Sequence, residues 1–163
     1  VFLLQQDKKN KWSRQQISNN PSGEVRQGID SNGTNFVTAI EPMHGSQLSI
    51  YTASKESGNT TQWQRNIIDD TLDQGHALAT GDFMSTGDDQ IVAGWRGTRR
   101  TGKVGIKLYY PSNKERSKWE SIVVDDNQMA TEDIRVSDLN NDGKLDIIAA
   151  GRASHNLKIY FNE

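Results

Sequence analysis

The sequence contains an internal repeat with an interval of about fifty residues. A repeat of this length constrains the fold strongly, because it is typical of proteins that stack one small structural unit several times. Each copy has a tryptophan with an isoleucine close behind it and, 18 or 19 residues later, an aspartate: Trp12 with Asp30, Trp63 with Asp82, and Trp119 with Asp138.

Each copy is predicted to consist of short β-strands. A run rich in Val, Ile and Ala follows each aspartate, and an alternating apolar strand then ends at Tyr51, Tyr109 or Tyr160. Clusters of Gly, Asn, Asp and Ser separate these runs, and no amphipathic helical pattern is visible. Hydrophobic residues make up only 33% of the chain, which favours short strands joined by polar loops.

Several short strands in each copy indicate a β-propeller, in which every small antiparallel sheet, or blade, packs against its neighbours. We therefore expect an all-β chain that forms a partial β-propeller of three four-stranded antiparallel blades, at approximately 1–51, 52–109 and 110–163. The tryptophans and closing tyrosines would lie in the core between blades. A ring needs roughly four to eight blades, so the missing blades would come from a longer parent protein with about six or seven, or from a second chain.

The third copy contains the segment DLNNDGKLD, from Asp138 to Asp146. Asp138, Asn140 and Asp142 alternate along it, so their side-chain oxygens can face one centre, and Asp146 adds a further carboxylate. Gly143 permits a sharp reversal of the chain. Hard oxygen ligands on a flexible loop suit calcium, so we predict a calcium site here; a turn rich in Asp and Asn without a metal is the alternative.

The other two copies do not keep this pattern. In the second copy Met84 and Gln90 stand where the third has Asn140 and Asp146, so this loop is not expected to hold a metal. The first copy has only a short segment beginning at Asp30, which predicts a tight turn.

The stretch DLNNDGKLDIIAAG resembles the repeat core of FG-GAP/VCBS proteins, a family of secreted or surface propellers that bind calcium in this hairpin. The resemblance covers nearly the whole chain, although only the third copy is complete. It implies a calcium-binding propeller in a secreted or extracytoplasmic location. The chain begins at Val1 without a signal-peptide pattern, so we expect it to be processed or cut from a longer protein.

A second set of polar residues recurs around the three aspartates. Six residues before each aspartate stand Glu24, His76 and Glu132, and fourteen residues after it stand His44, Arg96 and Arg152. The outer ends of a hairpin lie side by side, so one residue of each set should meet in every blade. This end of the blade faces away from the calcium loop, towards the mouth of a central channel, where propellers commonly bind ligands.

These residues support two functional hypotheses. In the first, the chain is a binding module whose ligand-binding residues Glu24, Arg96 and Arg152 hold a carbohydrate or a protein partner. In the second, it is an enzyme whose catalytic residues are His44, His76, Glu41 and Glu132, with a second divalent transition metal. Salt bridges that finish strands in solvent are the structural alternative to both.

The enzyme hypothesis also draws on a short resemblance. The segment EPMHGSQLSIYT and the GHAL around His76 are similar to parts of the propeller in fungal aldos-2-ulose dehydratases, which are sugar lyases that use a metal ion. That resemblance implies that His44 and His76 are metal ligands or acid–base groups near a sugar. Glu41 belongs to the same segment and has alanine counterparts in the other copies, Ala93 and Ala149.

Composition excludes several other classes of function. The net charge is -2 with acids and bases interspersed, so nucleic acid is not an expected partner. The chain has no cysteine, which excludes disulfides and thiolate metal sites. Its apolar runs are too short to span a bilayer.

Overall fold

The computed structural model describes residues 1–55 and 61–163, and they form β-strands joined by turns. The all-β prediction is confirmed. The strands are β1 (Phe2–Gln6), β2 (Trp12–Gln16), β3 (Glu24–Ile29), β4 (Asn35–Glu41), β5 (Gln47–Lys55), β6 (Thr61–Asp69), β7 (Gly75–Gly81), β8 (Gln90–Trp95), β9 (Gly105–Pro111), β10 (Trp119–Asp126), β11 (Thr131–Ser137), β12 (Asp146–Gly151) and β13 (Asn156–Tyr160). Within the described ranges there is no helix of the length and apolarity needed to cross a membrane.

The strands form four antiparallel sheets that follow one another along the chain. Strands β1 and β2 form a two-stranded sheet, β3 to β6 and β7 to β10 form four-stranded sheets, and β11 to β13 form a three-stranded sheet. The expectation of three four-stranded sheets is therefore wrong, because four sheets are present and only two of them have four strands. In the described part of the chain, these sheets do not close into a barrel or a ring.

The difference arises from the tryptophan strands. Trp63 lies in β6, which pairs with β5, and Trp119 lies in β10, which pairs with β9. Each of these strands is thus the last strand of the sheet before it, whereas the blade boundaries expected from the repeat place each tryptophan in a new blade. The four-stranded sheets consequently run from Glu24 to Asp69 and from Gly75 to Asp126.

Successive sheets pack against one another along their first strands. β7 lies between β3 and β11, and the hydroxyl of Thr80 in β7 donates a hydrogen bond of 2.6 Å to the carbonyl of Gln27 in β3. All six residues of β8 are buried, because neighbouring sheets cover both of its faces. This is why β8 is nearly continuously apolar rather than alternating.

The core consists of two apolar layers, one at each junction between large sheets. The first contains Phe36, Ile40, Leu48, Leu78 and Ile91, and the second contains Ala77, Val92, Ile106, Ile134 and Ile147. The expected core position holds for Tyr51 and Tyr109, which are buried, whereas Trp12 is 62% exposed. Trp119 packs edge-on against Phe36 with ring centroids 6.4 Å apart.

Buried polar groups also join the sheets. Asp69, at the end of β6, accepts hydrogen bonds from the Tyr109 hydroxyl at 2.7 Å and from Lys107 at 2.9 Å, both in β9 of the next sheet. At the following junction, Asp125 of β10 accepts a bond of 2.6 Å from the hydroxyl of Tyr160 in β13. Each carboxylate therefore links the last strand of one sheet to the third strand of the next.

Candidate functional site

The predicted calcium loop joins β11 to β12 as the turn of a hairpin. The carboxylate of Asp138 accepts hydrogen bonds from the backbone N–H groups of Asp142 and Gly143, at 3.2 and 2.9 Å. The chain reverses at Asn141 and Gly143, whose φ angles are 61° and 87°. The amide of Asn140 donates to the carboxylate of Asp142 at 2.9 Å. The side chains of Asn140 and Asp142 are thus in contact, and Asp138 binds the backbone of the same turn.

Asp146 is positioned differently from the other three. It is fully buried, and its two oxygens accept hydrogen bonds from the backbone N–H groups of Leu139 at 2.9 Å and Asn162 at 3.0 Å. Among the described residues, no three acidic or histidine side chains are arranged to hold a metal ion. The loop still offers oxygens, the donor type that calcium prefers, and Asp146 ties the start of the loop to the segment after β13.

Hydrogen bonds within the loop favour the charged form of Asp142. The pKa of Asp142 is lowered, first because its carboxylate accepts the backbone N–H of Lys144 and then because it accepts the amide of Asn140. Hydrogen bonds to the charged form of a carboxylate stabilise it. Asp142 is therefore ionised near neutral pH, as a calcium ligand has to be.

The second loop has the same backbone without the ligand pattern. Asp82 accepts hydrogen bonds from the N–H groups of Thr86 and Gly87, at 2.9 and 2.8 Å, as Asp138 does from the matching residues. Ser85 and Gly87 have φ angles of 53° and 81°, close to those of the third loop. The buried amide of Gln90 donates to the Asp88 carbonyl at 2.5 Å and to the Thr86 hydroxyl at 3.2 Å. The neutral amide group of Gln90 thus binds oxygens that face this loop.

The first copy forms a tight turn, as predicted. Asp30 accepts hydrogen bonds from the N–H groups of Asn32 and Thr34, at 3.0 and 2.7 Å. Gly33 has a φ angle of 78°, which glycine adopts without strain.

Two of the polar residues at the opposite end, His76 and Glu132, lie on irregularities of the sheets. The register between β7 and β8 shifts between Gly75 and Ala77, which leaves His76 as an extra residue. The register between β11 and β12 shifts in the same way between Thr131 and Asp133, at Glu132. Such β-bulges redirect a side chain and are common next to functional sites. They turn His76 and Glu132 towards the neighbouring polar residues.

The closest contacts at this end join different sheets. The rings of His44 and His76 stack with centroids 4.1 Å apart and planes 17° apart. Nη1 of Arg96 lies 2.6 and 2.7 Å from the two carboxylate oxygens of Glu132. The expected pairing within one sheet is present for Arg152 and Glu132, at 3.9 Å. We call these five residues the polar end.

The sixth predicted residue, Glu24, forms its ion pair with a neighbour on its own strand. Its carboxylate lies 3.3 Å from Arg26, although its charge also reaches His44.

The orientation of His76 is fixed by the backbone. Its Nδ1 lies 2.9 Å from the carbonyl oxygen of Glu132, and since a carbonyl only accepts hydrogen bonds, Nδ1 carries the proton. Its Nε2 faces the Glu132 carboxylate at 3.8 Å. A histidine held in this way presents Nε2 in a defined direction.

Burial and charge set the protonation of the two central groups. Burial lowers the pKa of His44, the positive charges of His76 and Arg96 lower it further, and Glu24 and Glu132 partly oppose this. Burial on its own would raise the pKa of Glu132, but hydrogen bonds from Arg96 and the nearby positive charges outweigh it, so that pKa is lowered. At neutral pH we therefore expect a neutral His44 beside a charged Glu132.

The stacked arrangement does not suit a metal ion shared by the two histidines. An imidazole lone pair lies in the plane of its ring, and the two planes are nearly parallel. A metal ion bound by both rings would have to lie about 2.0–2.1 Å from a nitrogen of each. Lone pairs that lie in nearly parallel ring planes, with ring centroids 4.1 Å apart, do not converge on such a point.

Glu41 lies in a separate, buried network. It is 1% exposed and accepts hydrogen bonds from Arg65 at 2.9 Å, from Ser22 at 3.1 Å and from the hydroxyl of Tyr51. Burial would raise the pKa of Glu41, but the bonds from Tyr51 and Arg65 outweigh it and lower that pKa. Its described partners do not include either histidine.

A substitution within the repeat explains why Glu41 is present. The sixth residue after each tryptophan is Asp69 in the second copy and Asp125 in the third, and both bind a closing tyrosine. In the first copy that position is Ser18, whose hydroxyl lies 3.0 Å from the Tyr51 hydroxyl and donates to it, since the single proton of Tyr51 goes to Glu41. Glu41 supplies the missing carboxylate from within its own sheet. Sequence reasoning missed Asp69 and Asp125, although their constant distance from the tryptophan was a usable signal.

No protein-family model matches the chain, and a search of the curated proteins finds no match to it.

Proposed function

We propose that the chain is a set of calcium-binding β-propeller blades of the FG-GAP/VCBS kind, which present a ligand-binding surface at the polar end. In this proposal calcium stabilises the hairpin of β11 and β12, and a carbohydrate or a protein binds at the opposite end of the sheets. Further blades, from the same protein or from a second chain, complete the ring, and the protein acts outside the cytoplasm.

The observation that carries the proposal is the ligand pattern of the third loop within a repeated hairpin. Asp138, Asn140, Asp142 and Asp146 offer oxygens alone, which is the donor type that calcium selects over softer metals. The second loop supports this reading, because its matching backbone holds hydrogen-bond donors instead of a full set of acids. The two loops thus differ in ligand chemistry rather than in backbone conformation.

The arrangement of the sheets supports a propeller rather than a two-layer sandwich. The first strands of three successive sheets, β3, β7 and β11, pack in a row. In a propeller the first strand of every blade faces the central axis. The polar end would then lie at one opening of the channel, where concave ligand sites are common.

The enzyme hypothesis receives less support from the geometry. In its metal-binding form it has His44 and His76 share a metal ion, and their stacked rings do not suit that role. It also requires Glu41, whose carboxylate is bound to Arg65 and Tyr51 in the core. The sugar lyase activity and the second metal are therefore not part of the proposed function.

A calcium titration tests the proposal. Calorimetry of the chelator-treated protein should show one calcium per chain, and thermal unfolding should shift upwards when calcium is added, because a ligand that binds only the folded state stabilises it. Asp142→Ala removes one of the proposed calcium ligands, so it should abolish both effects. The variant should still fold, because Asp142 is exposed and its loss leaves the core intact. Asp126→Ala, an exposed aspartate outside the loop, is the matched control and should keep them. Absence of calcium binding by the unaltered protein would refute the proposal.

A further inference from the structure

We propose that the polar end, formed by His44, His76, Arg96, Glu132 and Arg152, is a binding site for a carboxylate. The inference rests on the proposed ligand-binding role of this end of the sheets and is independent of the calcium loop. It follows from three features: the balance of charge, the arginine N–H groups that remain free, and the chemistry of the repeat itself.

Positive groups outnumber negative ones at the polar end. Two guanidinium groups, those of Arg96 and Arg152, face the single carboxylate of Glu132, and the rings of His44 and His76 stack beside them. Glu24, the other acid whose charge reaches His44, is paired with Arg26. A second carboxylate that enters here therefore meets a net positive field.

Both arginines have donors to spare. Arg96 uses Nη1 for both oxygens of Glu132, and within residues 1–55 and 61–163 its Nε and Nη2 donate no hydrogen bond. The side chain of Arg152 is 77% exposed, and its 3.9 Å separation from Glu132 is too long for a hydrogen bond. A guanidinium group binds a carboxylate best through two parallel N–H···O bonds. Among the described residues, none forms such a two-pronged pair with Arg152.

The repeat shows which partner this position takes. Arg96 directly follows β8 and binds Glu132, a carboxylate from the bulge of the next sheet. Arg152 directly follows β12 and is the equivalent residue of the last sheet. The same backbone position, with the same side chain, therefore recognises a carboxylate at the junction that the structure describes, and Arg152 carries the same N–H donors.

The side chains of the site are accessible from solvent. The side chains of Arg96, His76 and Glu132 are 21%, 18% and 26% exposed, so each is reachable without opening the core. A single charge-assisted pair in such a setting gives weak binding, with a Kd of about 1 mM. A carboxylate on a sugar acid or on an aspartate side chain presents the same two oxygens to the site.

The test compares three probes by calorimetry or by NMR titration: glucuronate, glucose, and a capped short peptide with one aspartate. Saturable binding of glucuronate or of the peptide, without binding of glucose, is the expected result. Binding of glucuronate alone identifies a sugar acid as the ligand, binding of the peptide alone identifies a protein side chain, and binding of both shows that the carboxylate suffices.

Variants locate the site. Arg152→Ala should weaken carboxylate binding at least tenfold, and Arg152→Lys should recover only part of it, because an ammonium group lacks the two-pronged geometry. Arg14→Ala removes an exposed arginine on β2 and should leave the affinity unchanged. An affinity unchanged in Arg152→Ala would overturn the proposal, as would no saturation with either carboxylate up to about 10 mM, tenfold above the expected Kd.

Two outcomes separate this inference from the proposed function. Binding of glucose with no preference for glucuronate would keep the carbohydrate-binding role and refute the carboxylate site. Loss of calcium binding in Asp142→Ala with carboxylate binding retained would show that the two sites are independent, as the inference requires.

Discussion

The hydroxyl of Tyr109 in β9 donates a hydrogen bond of 2.7 Å to Asp69, the last residue of β6 in the preceding sheet. Burial raises the pKa of Tyr109, and the charge of Asp69 raises it further, so the hydroxyl keeps its proton. The same relationship recurs between Tyr160 and Asp125 at the next junction. These pairs fix the position of each sheet against the one before it.

Tyr109→Phe should destabilise the protein by about 1–2 kcal/mol, because the buried carboxylate of Asp69 loses a hydrogen-bond donor. The measurement is the free energy of unfolding in urea. Tyr110→Phe is a matched control, since Tyr110 bonds to Glu120 at the surface, and it should leave stability unchanged. Equal effects of the two substitutions would mean that the bond between Tyr109 and Asp69 does not hold the sheets together.

Glu41→Gln should destabilise the protein by about 2 kcal/mol, because Arg65 loses its charged partner in a buried network. Ser18→Asp restores the carboxylate that the other two copies carry at this position. It should therefore recover part of the stability lost in Glu41→Gln, but it should not stabilise the protein that keeps Glu41. Urea unfolding of the unaltered protein, the two single variants and the double variant gives the coupling energy between the two positions. Additive effects would show that Ser18 and Glu41 do not share one role.

The second loop should accept a metal after a small change of sequence. Met84→Asn, Thr86→Asp and Gln90→Asp together give it the ligands of the third loop, and Ser85 and Gly87 already have the required backbone angles. Calorimetry should then show two calcium ions per chain rather than one. A folded triple variant that still binds one ion would show that backbone and ligand type do not suffice.

Acid should destabilise the protein in two stages. The pKa of His44 is lowered from 6.5, so the unfolded chain takes up this proton first and stability falls as the pH drops below about 6.5. The pKa values of Glu41, Asp69 and Asp125 are lowered from 4.5, 3.8 and 3.8, so their contributions are present above these values and are lost as the pH falls through them. Urea unfolding from pH 7 to pH 3 measures both stages.

His44→Gln should remove the first stage and leave the second, because glutamine does not titrate. A steep fall in stability between pH 6.5 and pH 5 in that variant would contradict the assignment to His44.

The strands and turns were predictable from sequence because they depend on local alternation and on turn residues. The β-run at Gln90–Trp95 and the turn at Gly143 are examples of this. The sheet to which a strand belongs was not predictable in the same way. A tryptophan strand such as β6 could pair with the strand before it or with the strand after it along the chain. Only hydrogen bonding to β5 decides that it ends a sheet.

The candidate site was predictable in its members and less so in its contacts. The repeat identified His44, His76, Arg96, Glu132 and Arg152, yet a hairpin argument pairs residues within one sheet. The bulges at His76 and Glu132 redirect these side chains across the junction, and a bulge leaves no clear mark in the sequence. Glu41 was assigned to this site because it lies close to His44 along the chain, whereas its side chain binds Arg65.

The most direct test of the central claim is a crystal structure of the protein grown with calcium. The account predicts an ion between Asp138, Asn140, Asp142 and Asp146, with oxygen distances of about 2.3–2.6 Å, and β3, β7 and β11 arranged around one axis. A loop without an ion at saturating calcium, or first strands that do not surround a common axis, would contradict it.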